Sequence, residues 1–341
     1  MRERLTWDRL APMSDYFSYA EQSVHYFRRA HTAAAERPVG GPAAWRKSDV
    51  SDPRRWRREL DAGEVDELRR ATRHVVDSGR PLGELGAADF PLPGLAGEVA
   101  AWRRELEAGR GFQVVSGLPV AEWSEREAST CFWCLGLHLG RPGAQNPQGD
   151  LLGHVRDTGE DAADPFVRLY RTASEIAYHC DAADVVGLLC LSAAAKGGAS
   201  RIASSVAVHD ELLRRRPELV ARLYEPFALD LRNEDASGAL RHIPVPPCRF
   251  DGERLRTFYH SDYFRSAQRH DDVAEFSPDE RQLLDLYEEI AHSPEFCLDM
   301  QLEPGDIQWL SNHTIVHARK TYSDAPDAPG GRHLLRLWLS I

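Results

Sequence analysis

The stretch Tyr178-His-Cys-Asp-Ala-Ala-Asp-Val-Val-Gly-Leu-Leu-Cys-Leu191 decides the fold. Its second half, residues 184–191, is a near-continuous apolar run, the pattern of a strand buried on both faces. Its first half sets His179 and Asp181 two apart on the rim of that strand. In extended chain, side chains at i and i+2 share a face, so this imidazole and this carboxylate can converge on one ion. Downstream the texture stays strand-rich, with strands expected over 227–231, 255–259, 296–302, 307–310 and 334–340. Helices over 206–224 and 279–292 interrupt it. Leu302-Glu-Pro-Gly-Asp306 reads as a tight turn between two strands, with Pro and Gly supplying its backbone angles.

Upstream, Val65, Leu68, Ala71, Val75 and Val76 make a helical stripe over 64–78. A second helix is expected over 95–108, a short strand over 111–115 and a third helix over 121–139. The strands do not alternate regularly with helices. A mixed α and β fold therefore fits better than a parallel α/β sheet: a double-stranded β-helix (jelly-roll, cupin-like) core with flanking helices. Residues 1–35 mix aromatics and charges and allow one or two helices, and Arg37-Pro-Val-Gly-Gly-Pro-Ala-Ala44 is a linker. We divide the chain into an N-terminal extension, 1–50, and one domain, 51–341. The extension is expected to cap the site or to mediate dimerisation, so a homo-oligomer is allowed.

The 341 residues hold 42 Lys+Arg against 53 Asp+Glu, a formal charge of −11. That balance argues against nucleic acid and against anionic membranes, because no basic stripe exists to replace phosphate counterions. Only Lys47, Lys196 and Lys320 are lysines, a skew that looks like genomic base composition. No stretch has the 18 or so apolar residues of a membrane span, and residues 1–35 lack the apolar core of a secretory signal. Cys131, Cys134, Cys180, Cys190, Cys248 and Cys297 are scattered and do not read as a disulfide framework. A soluble cytoplasmic protein acting on a small molecule is expected.

His-x-Asp/Glu motifs are cheap at this composition: about two arise by chance, and four occur. His209/Glu211 lies in a helical stretch where i and i+2 diverge. His270/Asp272 sits in a polar loop. His260/Asp262 ends a strand candidate and is a real rival to His179/Asp181. A third ligand would come from His313 or His317 in the C-terminal segment. Two histidines and one carboxylate leave open positions on an octahedral metal, as in non-haem Fe(II) oxygenases, whereas a closed zinc site wants four ligands. Arg332 and Arg336, an even number apart on a strand, share a face. An arginine inside an apolar barrel needs an anion, either a dicarboxylate cosubstrate or local acids such as Asp324 and Asp327.

Five segments together resemble the taurine-dioxygenase-like (clavaminate-synthase-like) Fe(II)/2-oxoglutarate-dependent dioxygenases. They are Tyr178-His-Cys-Asp181, Gly197-Gly-Ala-Ser200, Pro304-Gly-Asp306, Asn312-His-Thr-Ile-Val-His-Ala-Arg319 and Arg332-His-Leu-Leu-Arg336, in family order across roughly 110–341. The resemblance implies a metal triad of His179, Asp181 and His317, with His313 a structural neighbour on the same strand. It implies that Arg332 binds the distal carboxylate of 2-oxoglutarate and that Ser200, where the family often has Thr, assists. Arg336 would lie near cosubstrate or substrate. It further implies Fe(II), 2-oxoglutarate and O2 as reactants. The reaction would be oxidation of an unactivated C–H bond, by hydroxylation, desaturation or ring closure, in an amino acid or a natural-product intermediate bearing a carboxylate. Gln145, Asn146 and Arg171 are expected near the mouth of the site, with ordinary turn polarity as the competing account. Cys131 and Cys134 have redox-motif spacing but read as core thiols. Two rivals remain: a cupin-like metal hydrolase or isomerase that needs no 2-oxoglutarate, and an inactive binding homologue.

Overall fold

Two antiparallel-rich sheets enclose a shared apolar interior in the computed structural model, which describes residues 16–164, 166–232, 234, 240–325 and 331–341. The larger sheet runs Arg57–Glu59, Phe112–Ser116, Ile307–Ser311, Val185–Ser192, His333–Ser340, Arg141–Gly143, with Leu152–Val155 also paired to His333–Ser340. The smaller runs Cys297–Met300, Ser200–Ser204, Ile315–Arg319, Ile176–His179. The interior between them holds Phe112, Val114, Val186, Leu310 and Trp338 from one sheet and Ile202, Leu298 and Ile315 from the other. This is the jelly-roll arrangement expected of a sandwich whose strands alternate faces.

Helices cover the outer faces. Ala62–Ser78, Ala96–Ala108 and Glu125–Leu139 pack Leu68, Val75, Val99, Trp102, Phe132 and Trp133 into one cluster against the larger sheet. Ser205–Arg215 and Pro278–His292 do the same for the smaller. The stripe read from 64–78 is where it should be: Leu68, Ala71 and Val75 are buried. An Asp61/Glu64 capping box starts this helix and Gly79, at φ 68°, ends it. The helix expected over 206–224 is broken instead. It stops at Arg215, and Pro217 opens a separate turn, Pro217–Val220, because proline has no N–H to continue the ladder. The Leu302–Asp306 turn does join two strands, but it carries the chain from the smaller sheet to the larger.

Of the N-terminal segment, residues 1–15 lie outside the described residues. Tyr19–Phe27 forms one helix with a Ser18/Glu21 capping box. Asp184, at the start of the central strand, holds this helix: its carboxylate accepts from Arg29 and pairs with His25 at 3.0 Å and His313 at 2.8 Å. Tyr26, Ala35, Trp45 and Val50 are all buried in the main apolar clusters. Among the described residues no helix is long and apolar enough to cross a membrane.

Candidate active site

The smaller sheet brings His179 and His317 side by side as register partners on adjacent antiparallel strands. Their ring centroids are 4.2 Å apart. Asp181 follows where the chain leaves the sheet, and its backbone N–H is fixed by Asn312 Oδ1 at 3.1 Å. His317 Nε2 lies 3.8 Å from Asp181 Oδ2. One donor atom from each of the three residues falls within 4.8 Å of the others, so this group can hold a metal ion.

The donor chemistry fits. His179 Nδ1 donates to the Ala177 carbonyl at 2.9 Å, which leaves Nε2 as a lone-pair donor. Asp181 Oδ2 and His317 Nδ1 are buried with no protein partner, an arrangement proteins generally avoid unless a ligand completes it. Burial pushes both imidazoles below their usual range, His317 to about 3, so they are neutral and ready to ligate. Burial alone would raise Asp181, but the Arg336 guanidinium outweighs it and holds the carboxyl below its ordinary range. Cys180, between the ligands, is buried and directs its thiol to the Ile315 carbonyl.

A small cavity opens from the triad between the sheets. Ser200, Arg319, Arg332 and Arg336 line it with His179, Asp181 and His317. Arg332 is buried, and its Nη1 has no partner. Its guanidinium lies 5.1 Å from the Tyr322 ring, and Asp324 accepts from its backbone N–H, while Asp327, the other acid weighed for it, lies outside the described residues. Gly198 makes the close approach possible: at φ 70°, a Cβ there would sit 3.0 Å from Arg332 Nε. Ser200 Oγ donates to Gln308 Oε1 at 2.8 Å. Arg336 donates through Nε to Gln145 Oε1 at 2.7 Å and through Nη1 to Asp181 Oδ1 at 3.3 Å. It is sandwiched between Tyr170 and Trp338. Gln145 Nε2 in turn donates to the Arg336 carbonyl at 2.8 Å.

Three expectations fail. Asn146 ties a turn by bonding Asp150 at 2.7 Å and lines neither cavity at the triad, since a short amide beside a turn finds its nearest backbone and side-chain partners first. Arg171 points to solvent and pairs with Glu160 at 2.8 Å. His313 is in the turn before Ile315–Arg319 rather than on that strand, and serves Asp184. Arg319, two residues from His317 on the same strand, also lines the cavity, although its sequence context gives it no separate signal. It donates to the Thr172 carbonyl at 2.7 Å and to those of Leu169 and Ser174, while its Nε and Nη1 are unpartnered. The rival His260/Asp262 motif divides: His260 forms a backbone bridge with His179, yet neither residue joins the metal-competent group.

A second cavity of about 760 Å³ shares Asp181 with the first. Val24 and Phe27 of the N-terminal helix wall it together with Ile243, Phe258, His260 and Trp338.

Residues 78–338 match the taurine catabolism dioxygenase TauD, TfdA family. The chain is 33% identical to FR-33289 synthase of Streptomyces rubellomurinus over 318 residues, 90% of this chain and 91% of that protein. It is 28% identical to the taurine hydroxylase-like protein SAT17 of Stachybotrys chartarum, covering 82% of this chain and 73% of the relative. Its fold is similar to that of an asparagine oxygenase solved with Fe(II), 3-hydroxyasparagine and succinate (TM-score 0.66, 16% identity, 83% of this chain and 93% of that one). It is also similar to the non-haem iron oxygenase OrfP solved with Fe and α-ketoglutaric acid (TM-score 0.63, 16% identity, 83% and 94%). With an intact two-histidine, one-carboxylate group inside the matched region, the chain belongs to the TauD, TfdA family and is an Fe(II)- and 2-oxoglutarate-dependent dioxygenase.

Proposed function

We propose that His179, Asp181 and His317 hold the iron, that Arg332 with Ser200 receives the distal carboxylate of 2-oxoglutarate, and that a carboxylate-bearing amino acid or natural-product intermediate is oxidised beside them. The convergence of the three ligands carries this reading. Bound iron would let O2 act as the oxidant, taking two electrons from 2-oxoglutarate, which leaves as succinate and CO2, and two from the substrate C–H bond. The chain's own residues do the rest. Arg332 offers an unpartnered Nη1, a charged donor suited to a carboxylate. Arg319 adds a second cation in the same cavity. Arg336, held by Gln145 and flanked by two aromatic rings, is placed to orient a substrate anion. The largely apolar walls would displace water from around an apolar part of the substrate.

The natural-product reading draws support from the relative named FR-33289 synthase, and the amino-acid reading from neighbours bound to hydroxyasparagine and hydroxy-arginine. Six free, buried cysteines support a reducing, cytoplasmic location. The test is anaerobic addition of Fe(II) and 2-oxoglutarate, followed by the weak visible charge-transfer band of the chelate. The band should form in the native protein, and admitting O2 with substrate should release succinate. Absence of the band would overturn the assignment.

A further inference from the structure

His260 stands at the triad without belonging to it. Its backbone bridges to His179, and its ring is 5.1 Å from the His179 ring and stacked at 3.7 Å on Tyr263. Between them, these contacts fix the ring's place and orientation. The imidazole makes no hydrogen bond to any described side chain or carbonyl, and Nδ1 is sealed from solvent without a partner. A core histidine kept for packing would satisfy its nitrogens with neighbouring carbonyls or hydroxyls. His260 does not, and it lines the 760 Å³ cavity that Asp181 also lines. An imidazole held this way can donate to, or accept from, an uncharged polar group in the cavity.

The rest of that cavity is of a different character. Val24, Phe27, Leu229, Ile243, Phe258 and Trp338 give it largely apolar walls. Its volume falls within the roughly 300–1,000 Å³ that holds drug-sized ligands. A free amino acid of ordinary size would leave most of those walls wet, whereas an elongated apolar body would dry them.

We propose that His260 is a substrate-contacting residue that binds an uncharged, amide-like group, and that the substrate is a small acid whose apolar body lies against the N-terminal helix. This rests on the oxygenase reading of the site and specifies what that site takes. His260 sets which part of the molecule stands over the metal, and Val24 and Phe27 select its length.

The experiment uses the full chain, loaded anaerobically with Fe(II) and 2-oxoglutarate, and three probes that perturb the visible band. N-octanoylglycine has acid, amide and chain. Octanoate lacks the amide, and N-acetylglycine lacks the chain. N-octanoylglycine should bind about tenfold tighter than either, the worth of one well-placed hydrogen bond or a similar burial of chain. His260→Ala should bring N-octanoylglycine down to the level of octanoate with 2-oxoglutarate affinity unchanged, and His260→Gln should restore part of the difference. Phe27→Ala should weaken the two octanoyl probes and leave N-acetylglycine alone. Equal binding of all three probes, no binding of N-octanoylglycine to the native protein, or an unchanged affinity in His260→Ala would overturn the proposal. So would loss of the band itself in His260→Ala, which would make the residue a support for His179. If the native protein forms no band, it is the oxygenase assignment that fails. A band that no probe perturbs sinks this inference alone.

Discussion

Asp181 answers to both halves of the site: Oδ2 faces His317, and Oδ1 accepts from Arg336. Asp181→Ala should therefore do more than delete a ligand, since it also leaves the Arg336 charge without its acid. We expect Asp181→Ala and His179→Ala to lose iron binding, read as disappearance of the anaerobic Fe(II)/2-oxoglutarate band, because two ligands hold the ion poorly. Arg332→Ala should separate the functions. Losing one partner of a buried charge pair costs about 3 kcal/mol, so the 2-oxoglutarate requirement should rise on the order of a hundredfold while iron stays bound. Retained cosubstrate affinity in this variant, measured by titrating the same band, would remove Arg332 from its role. At this scale the pair His179 and Asp181 was legible from its place beside an apolar run, whereas the third ligand was not: the residues left His313 and His317 open, and only the family resemblance chose between them. Asn146 and Arg171 were not legible, because polarity near a loop does not say which way a side chain turns. His260 was visible only as a rival motif; its part in the site depends on a backbone bridge between strand ends that no local pattern encodes.

The elements that carry these residues depend on Asp184, at the head of the central strand. Its carboxylate joins the N-terminal helix (His25, Arg29), the turn before the His317 strand (His313) and the backbone N–H of Ile341. It is buried, and although burial alone would raise it, His313 and Arg29 hold it well below the usual carboxylate range. Asp184→Asn removes the charge and leaves three cationic or protonatable partners, His25, Arg29 and His313, in place. We expect a loss of about 3 kcal/mol, a melting temperature lower by several degrees, and earlier proteolytic cleavage between residues 28 and 44. Iron binding should persist, since the triad strands pair independently of the helix. An unchanged melting temperature would show that apolar packing of Tyr26 and its neighbours is enough to dock the helix. Helix and strand positions were largely readable because period and caps are local signals, as at 64–78. Pairing was not: the Leu302–Asp306 turn looks like a hairpin and is a crossover between sheets, a distinction set by the core on either side of it.

For the whole molecule, the buried histidines link stability to pH. His179, His260, His313, His317 and His333 all sit below their ordinary range, chiefly through burial. In the unfolded chain each protonates near pH 6.5. Below that value the unfolded state binds more protons than the folded one, so stability is full above about pH 6.5 and declines as pH falls toward the folded values, about 3 for His317. The metal-free protein should thus lose melting temperature steadily from pH 7.5 to 5.5. Iron should oppose that loss at neutral pH, by about 2.7 kcal/mol at a hundred times its dissociation constant. That benefit should hold down to pH 5.5, because the imidazoles of the folded site sit below their ordinary range and do not give way to protons there. Anaerobic thermal scans with and without Fe(II) across this range provide the measurement. A melting temperature flat between pH 7.5 and 5.5 without metal would mean that these imidazoles are not held neutral by the fold, and the preorganisation argued for the iron site would go with it.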